Sequence, residues 1–179
     1  MRGSPCLMLF LVLNGCQYDP YAHLYTTDKP ETTNVVGSYV LTSQTLIPGG
    51  LTALRGRTGS IELRADGTFI ATNVPPRQDG FPPTNFLDPL ISGSGTWRIG
   101  SVGSVDDGRR PLKTHWGVYL DSPAAKLASV GLTSPKPPYG LIYTLGDPDS
   151  GEALILERNP AAADKRSSNQ PTQSVSDML

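Results

Sequence analysis

Apolar and polar positions change their rhythm at residue 35. From there to residue 158 the chain runs in short stretches rich in β-branched and aromatic residues, broken by turn-forming ones. The clearest stretch is SIELRADGTFIATNV at 60–74. Ile61 and Leu63 fall on one face of an extended segment, and Glu62 and Arg64 on the other. Asp66-Gly67 splits the stretch into two arms and predicts a hairpin with a type I′ turn, which needs positive φ at both central residues. Further strands are predicted over 35–46, 93–100, 113–121 and 139–146, and DPDSG joins the last of these to 152–158. No segment sustains a 3.6-residue apolar period. The best helical candidate, PAAKLASVGL at 123–132, is brief and bounded by Pro and Gly. The pattern predicts an all-β domain over 35–158, an antiparallel sheet closing into a small barrel, with an open β-sandwich as the alternative.

The connections and ends follow different rules. Loops 47–58 and 75–92 are long for hairpins, and the second carries five prolines, reading as disordered or as a lid. Residues 159–179 lack aromatics and are expected to be disordered. Residues 17–34, with Pro20, Pro30 and no periodicity, read as a flexible spacer with a mean reach of roughly 20–25 Å. Tyr18, Tyr21 and Tyr25 are more aromatic than a linker needs, so part of the spacer is a candidate to lie on the domain or near a lipid surface.

At the N-terminus Arg2 precedes an apolar run of eight residues, Cys6 to Leu13. That is too short to span a bilayer, which takes about 20 residues. It suits the apolar region of a signal peptide. The sequence Leu13-Asn14-Gly15-Cys16 resembles the lipobox of bacterial lipoproteins at three of its four positions, with Asn14 standing where a small residue is usual. The resemblance implies that residues 1–15 are removed and that Cys16 is the lipid attachment site, carrying a diacylglyceryl group and then an N-acyl chain. It also implies a bacterial cell envelope location, and Gln17 after the cysteine favours the outer membrane, facing periplasm or exterior. Residues 16–34 then serve as lipidated cysteine and tether.

Composition narrows the function classes. The chain has 179 residues, 19 Gly, 17 Pro and 17% charged residues, with a formal net charge of −1. That balance gives no basic footprint for nucleic acid. Its two cysteines, Cys6 and Cys16, make neither a disulfide scaffold nor a zinc site.

Motifs for catalysis are sparse. His23 lies in the spacer and His115 beside Trp116 in a predicted strand. No Gly-x-Ser-x-Gly elbow is present, and Ser134 and Lys136 are too close for a Ser-x-x-Lys dyad. Asp106, Asp107, Arg109 and Arg110 read as a solvated charged turn, and Arg55, Arg57 and Arg64 as a solvated basic face. Asp147, Asp149 and Glu152 lack the alternation of a calcium loop and read as a turn. No metal or other cofactor is implied.

Gly37-Ser38-Tyr39, Gly95-Thr96-Trp97 and the LRADGTF hairpin resemble lipocalin-like (calycin) domains. The resemblance implies a barrel in which Tyr39 packs under Arg158 from the last strand at the closed end. Tyr39, Trp97, Trp116 and Tyr143 are the large rings of the sheet: core fillers by size, and the candidate ligand-binding residues if the interior holds a ligand. The expectation is a membrane-anchored, non-enzymatic binding or structural module for a small apolar ligand or an envelope protein. The alternatives are a tethered enzyme with a site in loops 75–92 and 104–112, and a protein-interaction or inhibitor module using a sheet edge.

Overall fold

The computed structural model describes residues 19–45, 58–76, 90–105, 112–146, 149 and 151–160. Eight strands follow in chain order: β1 Gly37–Thr45, β2 Ser60–Leu63, β3 Thr68–Val74, β4 Ile91–Val105, β5 Lys113–Asp121, β6 Val130–Thr133, β7 Gly140–Thr144 and β8 Ala153–Arg158. Each pairs antiparallel with the next, and β8 returns to β1 from Tyr39↔Arg158 to Thr45↔Ala153. That last ladder decides between the two predicted architectures. A sandwich leaves edges, whereas here the sheet closes on itself and has none.

Strand alternation sets the interior. Tyr39, Ile61, Leu63, Phe69, Leu141 and Leu156 sit on the inner face, each 2% exposed or less. Ile70, on the outer face between Phe69 and Ala71, is 39% exposed. The starts of β1, β3, β5 and β7 and the end of β8 share one end of the barrel, called the closed end below. A four-residue helix, α1 (Thr32–Val35), precedes β1 there and buries Val35.

Three expectations are corrected. The β2–β3 turn is not type I′. Gly67 alone is left-handed (φ 81°), and its N–H donates to Arg64 O at 3.1 Å. This is a type I turn closed by a left-handed glycine, which a three-residue loop prefers. Asp66 still contributes: its Oδ1 accepts from Thr68 N (2.9 Å) and Thr68 Oγ1 (2.7 Å), and these bonds hold its carboxyl below the usual range.

The second correction concerns 123–132, which forms no helix. Residues 122–129 cross the far end of the barrel, Leu127 bridges Pro76, and the chain re-enters the sheet as β6. The four residues Val-Gly-Leu-Thr of β6 are too few to announce a strand.

The third correction is partial: the flexible reading of the spacer gives way, and its candidate packing on the domain is met. From Asp19 the chain is docked on the barrel as a strap. A 3₁₀ turn, η1 (Ala22–Leu24), leads into Tyr25 and Thr26. Trp116 N on β5 donates to Thr26 O, and Thr26 N donates to Leu132 O on β6, both at 2.9 Å. β5 and β6 pair directly only at Gly117↔Gly131 and Val118↔Val130. Where the next pair, Trp116 and Leu132, would meet, Thr26 is inserted between them. It is fully buried, and its Oγ1 donates to Ser134 O at 2.6 Å.

Candidate functional site

Two of the four candidate rings serve the closed end. Tyr39 and Arg158 are direct cross-strand partners. The Tyr39 hydroxyl donates to Val35 O, while Arg158 donates through Nη1 to Asn34 O (3.2 Å) and through Nη2 to Val36 O. A side chain on Gly37 would put Cβ 2.8 Å from Arg158 Nε, so glycine opens the path by which the guanidinium reaches α1. Burial pushes the Tyr39 phenol up to about 12, against the opposing pull of Arg158. Trp97 closes the same end from β4. Its Nε1 donates to Arg64 O at 2.9 Å and its backbone N to Gly67 O at 2.8 Å, clasping the β2–β3 turn.

Trp116 lies partly buried near the strap, with Lys29 Nζ 5.6 Å from its ring centroid. Its place is again structural, beside Thr26 in the β5–β6 seam.

Tyr143 is different. It lies on the inner face of β7, opposite Leu154, and is 2% exposed. Its hydroxyl has no hydrogen-bond partner among the described residues. Burial alone pushes its pKa up, so the group remains a neutral donor and acceptor at any physiological pH. An unpaired hydroxyl in an apolar interior costs about 1–3 kcal/mol. Tyr143→Phe is therefore expected to raise the stability of the ligand-free barrel by about 1 kcal/mol, read as a higher urea midpoint at unchanged slope. A lower midpoint would show that the hydroxyl is satisfied.

The strap brings together two side chains that no local pattern links, Tyr25 and His115. Tyr25 stacks on His115 with ring centroids 4.1 Å apart and planes 5° from parallel. Its hydroxyl is 2.6 Å from Thr144 Oγ1, and a Cβ on Gly131 would lie 2.5 Å from its ring. The aromatic richness of residues 17–34 is the signal for this packing. His115 is 6% exposed, and its Nε2 has no partner among the described residues.

Burial lowers the His115 pKa, and the Asp19 carboxylate works in the opposite direction. The net lowering means that the unfolded chain binds the proton more readily. This contribution to stability is complete above the ordinary histidine value of about 6.5 and is lost as pH falls below it. The urea midpoint of wild type is expected to fall between pH 8 and pH 5 more than that of His115→Phe, which keeps a ring in the stack. Parallel pH profiles would refute this.

The remaining candidates are placed as follows. Arg64 pairs with Glu62 (Nε–Oε1 3.2 Å). Glu152 is 2% exposed, and Leu145 N donates to its backbone carbonyl at 2.9 Å. Among the described residues no three His, Cys, Asp or Glu side chains gather to hold a metal ion, and no helix is long and apolar enough to cross a membrane. Cys16, Arg55, Arg57, Asp106, Asp107, Arg109, Arg110, Asp147 and most of loops 75–92 and 104–112 lie outside the described residues.

An eight-stranded antiparallel barrel in next-neighbour order, closed on itself, is an architecture compatible with a lipocalin-like fold. Comparison of the chain with protein-family models, curated proteins and solved structures finds no match.

Proposed function

We propose that the chain is a bacterial envelope lipoprotein, anchored through acyl chains on Cys16, whose lipocalin-like barrel binds a small apolar ligand without catalysing a reaction. The observation that carries the binding reading is the Tyr143 hydroxyl, a polar group without a partner among the described residues, set in an interior lined mainly by Leu, Ile, Val and Phe. Sites for small molecules combine an apolar lining with a few polar groups that fix orientation. A mostly hydrocarbon molecule with one hydroxyl, carbonyl or carboxyl group satisfies both features here. The polar ring atoms of Tyr39 and Trp97 are engaged by the fold itself, which separates Tyr143 from them.

The anchor reading rests on the short apolar run and the Leu-Asn-Gly-Cys motif. Each buried methylene contributes about 0.8 kcal/mol, so two or more acyl chains hold a protein stably at a membrane. Cells fed a clickable fatty acid are expected to label wild type and not Cys16→Ser. Equal labelling of both would overturn the anchor.

A further inference from the structure

We infer that the lipid anchor holds the barrel against the membrane with its β7–β8 turn facing the headgroups, instead of swinging it on a tether. This rests on acylation of Cys16 and deepens that reading by assigning the lipid-facing surface.

Chain length limits how far the barrel can stand from the anchor. The strap is described from Asp19, whose Oδ1 accepts from Tyr21 N at 2.8 Å and whose carbonyl accepts from Ala22 N at 3.1 Å. The Tyr21 hydroxyl donates to Gly151 O in the β7–β8 connection at 3.1 Å, and Pro20 Cγ lies 3.5 Å from where a Cβ on Gly151 would sit. Tyr25 and Thr26 continue the attachment at Thr144, Gly131 and the β5–β6 seam.

Only three virtual Cα–Cα bonds separate Cys16 from Asp19, and at about 3.8 Å each they span at most about 11 Å. The headgroup region of one leaflet is about 5–8 Å thick. An acylated Cys16 at the lipid boundary therefore places Asp19, Pro20 and the β7–β8 turn at the outer rim of the headgroups. Tyr21, amphipathic and partly exposed, suits that position. The β2–β3 turn lies at the opposite end of the barrel and faces away from the lipid.

The test uses processed, acylated protein beginning at Cys16, in phosphatidylethanolamine/phosphatidylglycerol vesicles carrying a headgroup-attached energy acceptor. Removal of residues 1–15 and acylation of Cys16 leave an introduced cysteine as the sole thiol for the donor dye. Asp149→Cys and Asp66→Cys mark the two ends. Energy transfer at position 149 is expected to exceed that at 66 several-fold, and adding Tyr21→Ser and Tyr25→Ala to undock the strap is expected to abolish the difference.

Equal transfer from acylated protein would overturn the orientation while leaving the anchor intact. An intact mass without acyl chains would overturn the anchor reading, and the orientation with it.

Discussion

Tyr25→Ala is expected to destabilise the barrel by about 3 kcal/mol, within the range for removing a well-packed aromatic ring. The substitution removes three interactions together. The stack on His115 is lost, the hydroxyl pair with Thr144 is lost, and the outer face of Gly131 is uncovered. It also loosens the neighbouring residue, Thr26, whose backbone carries the β5–β6 seam past the last direct pair. Urea unfolding measures the total. Amide exchange at Trp116, whose N–H donates to Thr26, locates the effect, because that amide loses protection if the wedge leaves. Tyr21→Phe gives the contrast, since it deletes one partly exposed hydrogen bond and should cost about 1 kcal/mol. A Tyr25→Ala loss below about 1 kcal/mol would mean that the strap only decorates the barrel.

The second large effect is expected at the closed end. Arg158→Ala should cost about 2–3 kcal/mol, because it strips the carbonyls of Asn34 and Val36 of a charged donor. Lysine is not expected to rescue it. Its compact ammonium lacks the planar fork that reaches two carbonyls of α1 and its exit from one side chain. Tyr39→Phe should cost less, about 1 kcal/mol, by leaving Val35 O unpaired while keeping the ring in place. Thermal or urea unfolding of the three variants orders these losses. Equal stability of Arg158→Ala and wild type would remove Arg158 from the closure.

What the residue pattern reveals follows from what alternation can encode. Ile61 and Leu63 against Glu62 and Arg64 mark a half-buried strand, so β2 and its hairpin partner are legible with almost correct bounds. Tyr39 and Arg158 stand near opposite ends of the domain in sequence, and no local pattern links them. The Gly-x-Tyr resemblance alone implies their pairing, and the β1–β8 ladder shows Tyr39 opposite Arg158.

The β6 strand is not legible, because four residues carry too little alternation and the preceding Ala-Ala-Lys-Leu-Ala gives 123–132 a helical cast. The strap is legible only in part, through its tyrosines, and the wedge it drives into the β5–β6 seam is not. Thr26 is a polar residue whose burial depends on two backbone partners from distant strands, and composition alone assigns such a residue to a linker. Among the candidate ligand residues, sequence identifies the rings. Which of them has its polar atom occupied becomes visible only from the partners, Val35 for Tyr39 and Arg64 for Trp97.

In the proposed function the barrel holds a small apolar molecule through Tyr143. The most direct test of that binding is non-denaturing mass spectrometry of wild type and Tyr143→Phe, each extracted from host membranes in mild detergent. Wild type is expected to carry a non-covalent, low-mass apolar ligand, and Tyr143→Phe to retain at most about a tenth as much, the loss expected for one hydrogen bond of about 1.4 kcal/mol. Two bare proteins of identical mass, apart from the substituted oxygen, would contradict it.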